Sequence, residues 1–517
     1  MLATGLCLWG KPWHVDEPFF LAIARQILRD PLHPLSFSFN WYGWSEPMSA
    51  INNTPPLLAY LLAAALRFSG GGEFWTRALF FPFDLASAWG LLALASRFLK
   101  KPLWPTVIVL AGPAWALNLH HVMAERVMAG FALPALWLAV VAADEDDARA
   151  FWGSAALAAL ALLSKYNALF VLPPAVIYAR SRGASWRRLA LWSAAALSGF
   201  VLAQAWSWAA GGAAFSAAWG ATSASARMPW AAPTHRLRAL LAFTGGLGLP
   251  CALWGGALRP SRRAALASAA ACAALFGPWF DLAAAVRPVD RLMGFLFAFA
   301  ACAGLWALAR APRGRGWTLW ASWAAAVAVL QLAYWAVVAR FVVFLLPALT
   351  FGLWERLEAE APERLERLGR AGFAAALALA AALGAADWAY AAAQRDIAVR
   401  AAESARARGG RLWFYGHWGL QEYLLAAGGR QLDMDRGGWD EARSGDTVLV
   451  SAVNTNRIPA GRPRLANTVT LSAGSLSPVR LLGDRKDEAG FYSSGMGFLP
   501  WSFSTAPVDT FTIVELL

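Results

Sequence analysis

The chain has 517 residues, 58% of them hydrophobic and 15% charged, which is too little charge to cover a soluble protein of this length. Its formal net charge is +13, but the basic residues recur as short clusters between apolar runs, which excludes a nucleic-acid-binding patch. The composition therefore predicts a polytopic membrane protein. Cys7, Cys251, Cys272 and Cys302 lack metal-ligand spacing and are expected to be small buried side chains.

The first predicted elements are membrane helices. Residues 1–10 are apolar but shorter than the roughly 20 residues that cross a bilayer, and they indicate a truncated first helix. Further apolar runs predict helices near residues 74–98, 103–119, 127–143, 150–164, 167–179, 189–210, 237–258, 264–286, 291–309, 317–338, 341–354 and 371–393. Together they predict about 13 crossings of the membrane.

The loops between these runs predict the orientation of the chain. Lys and Arg cluster in the segments 97–101, 180–188, 259–263, 310–315 and 355–370, and the positive-inside rule assigns such loops to the cytoplasm. The acidic loop 144–147 falls on the same side, which is acceptable because Asp and Glu contribute little to that rule. The segments 11–73, 120–126, 165–166, 211–236 and the residues after about 394 are then predicted outside. The chain is expected in the inner (plasma) membrane.

The external segment 11–73 is too long to be a simple turn. Residues 17–30 carry Phe20 and Ile23 among the apolar side chains of one helical face, and they predict an amphipathic helix lying in the membrane interface. Residues 55–69 begin with two prolines and predict a second short helix, because proline favours the start of a helix.

The sequence changes in character after the last apolar run. Short strand-like runs occupy residues 412–415, 447–450, 479–482 and 511–514, separated by Gly, Asp, Asn and Pro, and residues 418–427 predict a helix. Residues 396–517 are therefore predicted to form a small extracytoplasmic α/β domain behind a transmembrane domain of residues 1–395.

Polar residues at the predicted outer ends of the helices are candidates for chemistry. They are Asp16, Glu17, Glu125, Lys165 and Arg340. Sugar transfer needs a carboxylate that takes a proton from the attacking hydroxyl, and cations that stabilise a phosphate leaving group. Two alternatives stay open. Asp16 and Glu17 can form an ordinary helix N-cap, and Lys165 and Arg340 can extend towards lipid headgroups.

Three histidines on the same predicted side raise the question of a metal. His14, His120 and His121 could join Asp16 and Glu125 around a divalent ion, since imidazole and carboxylate are both common ligands. The alternative is that these histidines hydrogen-bond locally. The metal is therefore left undecided, with Asp16, Glu125 and His120 as its candidate ligands.

An ordered set of motifs resembles one family. The segments are 16–25 (DEPFFLAIAR), 53–60 (NTPPLLAY), 73–77 (EFWTR), 124–126 (AER), 164–166 (SKY) and 339–347 (ARFVVFLLP). In this order they resemble the bacterial protein-O-mannosyltransferase-like and aminoarabinose-transferase-like enzymes, which have the GT-C fold. The resemblance runs from about residue 12 to 354. It implies an inverting transfer of a sugar from a polyprenyl-phosphate carrier to an acceptor outside the cytoplasm.

The resemblance also implies roles for single residues. Asp16 is the implied general base, and Glu17 helps to place the substrate. Glu125 contacts the acceptor or a metal, while Lys165 and Arg340 hold the carrier phosphate. Weaker substrate contacts are implied for three further residues, Asn53, Tyr166 and His121.

Several positions depart from the family pattern. Phe20 and Phe341 stand where the family has Tyr, so the hydrogen bonds of those hydroxyls are missing. Asn53 precedes the proline pair at a site where many relatives carry a charged residue, which weakens a metal site based on them. Arg77 is expected to tie the helix bundle together by facing Asp84, seven residues later on the same helix side.

The last questions for the sequence are the kind of sugar donor and the functions other than sugar transfer. No Gly-rich strand-to-helix turn marks a soluble nucleotide site. The resemblance implies a lipid-linked donor, and the acceptor is a protein, a lipid or a glycan. A lipid-linked-sugar transporter or flippase would carry charges near the bilayer midplane, whereas these charges stand at helix ends. The remaining alternative is a non-catalytic envelope assembly protein.

Overall fold

The fold is known from a computed structural model, which describes residues 2–212, 220, 228, 231–248, 261–277, 286–309, 314–453, 465–474, 477–482 and 487–516. The described chain is mainly helical and ends in a small region that contains β-sheet. This confirms the predicted fold class, a helical membrane domain followed by a small α/β region.

The helices follow the predicted apolar runs closely. In the first half of the chain they are α1 (Leu2–Leu8), α2 (Glu17–Arg29), α3 (Met48–Ile51), α4 (Leu57–Ser69), α5 (Glu73–Ala78), α6 (Phe81–Phe98), α7 (Leu103–Ala111), α8 (Pro113–Asn118), α9 (Ala124–Glu145), α10 (Ala148–Ser164), α11 (Leu172–Ser181) and α12 (Trp186–Ala209). In the second half they are α13 (Pro233–Leu247), α14 (Arg262–Phe276), α15 (Pro288–Ala309), α16 (Trp317–Ala333), α17 (Ala339–Val342), α18 (Leu345–Glu360), α19 (Leu365–Ala407) and α20 (Gly419–Ala426).

Among the described residues, 5 helices are long and apolar enough to cross a membrane. They are Glu73–Phe98, Ala124–Glu145, Trp186–Ala209, Pro288–Ala309 and Pro362–Ala407. Shorter apolar helices cover Leu57–Ser69, Ala148–Ser164 and Trp317–Ala333. The count of about 13 crossings stays a prediction, because several predicted runs are short or broken helices. The ends of the runs 237–258 and 264–286, and most of the segment 211–236, lie outside the described residues.

The cysteines follow their expected burial only in part. Cys272 is buried and Cys302 is half-buried, whereas Cys7 is exposed on the short helix α1. Cys251 lies outside the described residues. The expectation of burial was therefore wrong for Cys7, because α1 turns this side chain away from the helix bundle.

Several predicted cytoplasmic loops meet at one end of the bundle. The Asp144 carboxylate binds Arg97 at 3.2 Å and Arg182 at 2.7 Å. The backbone amides of Lys100 and Lys101 donate to Glu358 at 2.8 and 2.7 Å. The acidic loop 144–147 is therefore neutralised by basic side chains of its neighbours, which explains why the positive-inside rule tolerates it.

The segment 11–73, which is predicted to be external, contains both predicted helices. Helix α2 buries one face, including Phe20, Ile23 and Ile27, against the rest of the protein, and α4 packs beside α2. Between them, β1 (Ser38–Asn40) and β2 (Ser45–Pro47) form an antiparallel hairpin. This segment is therefore a folded layer on the helix bundle, and Asp16 stands at the start of its first helix.

A 5-stranded sheet forms the core of the C-terminal region, in the order β4-β3-β5-β9-β6. Its strands are β3 (Leu412–Tyr415), β4 (Arg430–Gln431), β5 (Thr447–Ser451), β6 (Leu465–Ala473) and β9 (Asp509–Leu516). Strands β3, β4 and β5 are parallel, and β9 is antiparallel to β5 and β6. The predicted strand 479–482 is shorter: β7 (Val479–Arg480) pairs with β8 (Ser502–Phe503) in a separate ribbon.

The sheet is joined to the membrane domain without a flexible linker. Helix α19 continues past the predicted domain boundary at 395, and its last turns bury Ile397, Ala401 and Ala405 against one face of the sheet. The same side chains would be exposed if the helix ended at the membrane. Burial of this apolar area fixes the sheet to the helix.

Candidate active site

Asp16 and Glu17 lie in a sharp turn that points their carboxylates in different directions. The preceding residue, Val15, has φ 49°, a left-handed conformation that is strained for a β-branched side chain. Asp16 occupies the N-cap position of α2, where its side chain makes no capping hydrogen bond. Asp16 is therefore the N-cap residue by position, but its side chain does not cap the helix and stays 28% exposed.

Glu17 is buried and fully occupied by donors. Its oxygens accept hydrogen bonds from Arg77 Nε at 2.9 Å and Nη2 at 2.7 Å, and from the backbone amides of His14 and Val122, both at 2.9 Å. Burial acts to raise the pKa of Glu17, but the adjacent Arg77 guanidinium outweighs it and lowers that pKa to about 2. Glu17 thus holds the turn that carries Asp16, and its expected role in placing the substrate stays a prediction.

Asp16, Glu125, Lys165 and Arg340 converge, and we call them the polar cluster. Arg340 Nη1 binds Asp16 Oδ2 at 2.5 Å, and Arg340 Nε lies 3.4 Å from Glu125 Oε1. Lys165 Nζ lies 3.3 Å from the same Glu125 oxygen. Each member stands at or near the end of a helix. The cluster therefore alternates two carboxylates with two cations.

The polar cluster is only partly accessible to solvent. Glu125 is 1% exposed, while Lys165 and Arg340 keep 14% and 17% of their side chains exposed. Burial lowers the pKa of Lys165, and the Glu125 carboxylate opposes that effect. Burial also acts to lower the pKa of Arg340, but the Asp16 and Glu125 carboxylates outweigh it and raise that pKa. The cations are therefore held beside the carboxylates in a site from which water is largely removed.

Glu125 has unused acceptor capacity. Both of its carboxylate oxygens are buried, and neither accepts a hydrogen bond from a described residue, although the two cations lie at ion-pair distance. Buried carboxylate oxygens are normally hydrogen-bonded. The Glu125 oxygens can therefore accept a further hydrogen bond.

Aromatic rings lie beside the polar cluster, and two of these residues, Tyr42 and Tyr334, were not predicted from the sequence. The Phe341 ring lies 5.7 Å from both Lys165 Nζ and the Arg340 guanidinium, and the Tyr334 ring lies 5.3 Å from Phe341. Burial raises the pKa of the Tyr42 hydroxyl to about 12, and the negative charge of Asp16 adds to this effect. Tyr334 directly follows the end of α16, six residues before Arg340, and this position was the only signal available in the sequence.

His121 belongs to a different group, the buried Asp387 cluster, which also contains Lys11, His14 and Tyr492. Asp387 binds Lys11, His14 Nε2 at 3.0 Å and Tyr492 Oη at 2.7 Å. His121 lies 2.5 Å from Lys11 Nζ. Burial and then the Lys11 charge lower the pKa of His121 to about 4. The weaker expectation of a substrate contact is therefore not met by His121, which faces Lys11 and Asp387.

His120 faces Asp84, not the polar cluster. Its Nδ1 lies 3.6 Å from Asp84 Oδ2, and Arg126 binds the same carboxylate at 2.8 and 2.5 Å. The expected contact between Arg77 and Asp84 was therefore wrong. Within the described part of the chain, no three His, Cys, Asp or Glu side chains could together hold a metal ion. His120 thus does not complete a site with Asp16 and Glu125.

The two remaining candidates lie to the side of the polar cluster. The Tyr166 hydroxyl accepts a hydrogen bond from Gln204 Nε2 at 2.9 Å, and its ring packs against Phe200. The Asn53 side chain accepts a hydrogen bond from the Thr54 hydroxyl at 3.2 Å. Their expected substrate contacts stay predictions.

Comparison with known proteins finds a family model that matches part of the chain. Residues 53–208 match the family model of dolichyl-phosphate-mannose-protein mannosyltransferase, whereas no curated protein sequence matches the chain. This segment contains Glu125 and Lys165 but not Asp16 or Arg340. The match agrees with the predicted resemblance over this segment of the chain.

Two solved structures are similar to this one. The first is ArnT from Cupriavidus metallidurans bound to undecaprenyl phosphate, with a TM-score of 0.49 and 14% sequence identity over 87% of this chain and 92% of that chain. The second is ArnT from the same organism in the apo state, with a TM-score of 0.39 and 14% identity over 87% of this chain and 90% of that chain.

Proposed function

We propose that the protein transfers a sugar from a polyprenyl-phosphate carrier to an acceptor hydroxyl on the extracytoplasmic face of the membrane, with inversion at the sugar. The observation that carries the proposal is the convergence of Asp16, Glu125, Lys165 and Arg340 from distant parts of the chain. A carboxylate beside two cations suits a reaction that removes a proton and releases a phosphate.

Asp16 is the proposed general base. The acceptor oxygen attacks the anomeric carbon while its proton moves to the Asp16 carboxylate. The bond between that carbon and the phosphate oxygen breaks, and its electron pair remains on the carrier phosphate. Asp16 suits this role because it is the more exposed carboxylate of the cluster, at 28% against 1% for Glu125.

Arg340 and Lys165 are the proposed phosphate ligands. The donor phosphate is a diester with one negative charge, and departure of the sugar adds a second charge. Two fixed cations therefore bind the departing phosphate more strongly than the bound donor, which is the condition for accelerating the reaction. Arg340 can also contact two oxygens of one phosphate through its planar guanidinium.

Glu125 is proposed to orient the cations and a substrate hydroxyl. It lies between Lys165 and Arg340, and both of its oxygens are free of hydrogen bonds from the described residues. A carboxylate so placed can accept from a sugar or acceptor hydroxyl. Glu17 acts one step away, since its contacts hold the turn of Asp16.

The proposed location follows from the two ends of the bundle. Basic loops and the Asp144 ion pairs lie at one end. The segment that carries Asp16 contacts the C-terminal region elsewhere, through Trp13 and Tyr423. The positive-inside rule assigns the basic end to the cytoplasm. We therefore expect the polar cluster and residues after Ala407 to face outwards from the inner membrane.

Mass spectrometry of envelope lipids and proteins tests the proposal. A strain without the gene should lack one sugar modification, and the wild-type gene should restore it. Asp16→Asn should fail to restore it while the variant protein still binds undecaprenyl phosphate in detergent. Full restoration by Asp16→Asn would rule out the proposed base, and an unchanged sugar profile in the deletion strain would rule out the transferase.

A further inference from the structure

A short segment of the C-terminal region, residues 491–494, contacts the chain directly before Arg340. The backbone amide of Ala339 donates to Phe491 O at 3.0 Å. Ser494 and Val337 exchange two more hydrogen bonds, from Ser494 N to Val337 O at 2.8 Å and from Val337 N to Ser494 Oγ at 2.9 Å. The residues that lead into α17 are thereby paired with a segment more than a hundred residues later in the sequence.

The same segment also contacts the chain directly before Asp16. The Tyr492 hydroxyl donates to Asp387 Oδ1 at 2.7 Å, and His14 Nε2 lies 3.0 Å from that oxygen. The Tyr492 ring packs edge-on against the His14 ring, with centroids 5.2 Å apart. Tyr492 thus packs directly against His14, two residues before Asp16, and binds the carboxylate that lies beside the His14 ring.

The turn that carries Asp16 needs such support. Val15 adopts φ 49°, and a β-branched residue keeps this conformation only where its surroundings enforce it. The C-terminal region also contacts the chain before this turn at Trp13, whose backbone amide donates to Tyr423 Oη at 2.6 Å. Gly419 approaches so closely that an added Cβ would lie 2.2 Å from Trp13 O.

We propose that residues 491–494 form a brace that sets the position of Asp16 relative to Arg340, with Tyr492 and Ser494 as positioning residues. The inference rests on the proposed function. It follows from one short segment that contacts the residues just before each partner of a 2.5 Å ion pair. Catalytic groups must be held to within a fraction of an ångström to act together. The C-terminal region is therefore part of the catalytic apparatus and more than an appended domain.

Two isosteric or near-isosteric variants of the full-length protein test the brace. Tyr492→Phe keeps the ring and deletes the hydrogen bond to Asp387, and Ser494→Ala deletes the acceptor of Val337 N. Each should lower the restored sugar product per molecule of enzyme by about tenfold, while the affinity for undecaprenyl phosphate changes by less than about twofold. Thr470→Val, on the exposed strand β6 of the same region, should leave both values unchanged.

Hydrogen–deuterium exchange supplies a readout that needs no sugar transfer. In Tyr492→Phe, peptides covering residues 13–20 and 336–344 should both exchange faster than in the wild type, while peptides of α9 stay unchanged. Faster exchange in only one of the two peptides, or in neither, would overturn the brace. Wild-type product from both brace variants would also overturn it and would leave the proposed function intact. Failure of the brace prediction can thus be distinguished from failure of the proposed function, which the Asp16→Asn variant tests.

Discussion

Arg340 binds the Asp16 carboxylate at 2.5 Å, so the proposed phosphate ligand already neutralises the proposed base. Glu125 lies 3.4 Å from the same guanidinium. It can keep the Arg340 side chain in place when a phosphate binds. Binding of the carrier phosphate would then compete with Asp16 for Arg340. The consequence is that the base becomes available for a proton when the donor is bound.

Asp16→Asn is expected to separate binding from turnover. Sugar transfer should fall by about a hundredfold or more because the base is lost. Undecaprenyl phosphate should bind about fivefold more tightly, because Arg340 no longer forms an ion pair with a carboxylate at position 16. Binding is measured by a fluorescence or calorimetric titration in detergent. Asp30→Asn, at the other end of α2, is the control and should match the wild type. Weaker binding by Asp16→Asn would contradict the competition.

Arg340→Gln is expected to weaken carrier binding. Loss of charge-assisted hydrogen bonds to phosphate should reduce the affinity for undecaprenyl phosphate by about 10- to 100-fold. Arg340→Lys should lie between this variant and the wild type, because an ammonium group keeps the charge but not the planar pair of donors. The matched control is Arg400→Gln on the exposed side of α19. Equal binding of undecaprenyl phosphate by Arg340→Gln, Arg340→Lys and the wild type would exclude Arg340 as a phosphate ligand.

Glu17→Gln is expected to act mainly on stability. Removing one partner of a buried ion pair leaves Arg77 uncompensated and should cost about 3–5 kcal/mol. The folded pKa of Glu17, about 2, lies below its ordinary value of 4.5. Its contribution is therefore complete above pH 4.5 and is lost as the pH falls towards 2. Thermal unfolding in detergent at pH 7 and pH 4 should show a smaller pH effect in Glu17→Gln than in the wild type.

His121 is expected to make stability depend on pH in a higher range. Its folded pKa of about 4 lies below the ordinary 6.5, so the unfolded chain binds the proton more readily. Stability should then fall as the pH drops from 6.5 to 4. His121→Gln should flatten this part of the unfolding curve, whereas the same change at exposed His33 should not. An identical pH profile for His121→Gln and wild type would show that the buried Asp387 cluster does not titrate there.

The sequence predicted most of the helices because their signals are local. Apolar runs and the amphipathic face of residues 17–30 depend only on neighbouring residues, and the structure contains the corresponding helices. The order of motifs also pointed to the four residues of the polar cluster. Strand β6 was missed, since its Thr- and Ser-rich stretch lacks a strong apolar pattern and lies at the edge of the sheet.

The contacts that the sequence did not predict depend on breaks and on distant partners. Arg77 and Asp84 were expected on one helical face, but Leu79 and Phe80 separate α5 from α6 and turn Arg77 towards Glu17. Which of two adjacent carboxylates is buried depends on the positive φ of Val15. No local pattern encodes either feature.

Helix α19, 43 residues long, is a stiff rod of about 65 Å that passes from the membrane into the core of the C-terminal sheet. A bilayer of different thickness tilts such a rod, because its apolar stretch must stay within the hydrocarbon. Asp387 lies on the same rod and is 3.0 Å from His14, two residues before Asp16. We therefore expect a change in bilayer thickness to shift the turn that carries Asp16.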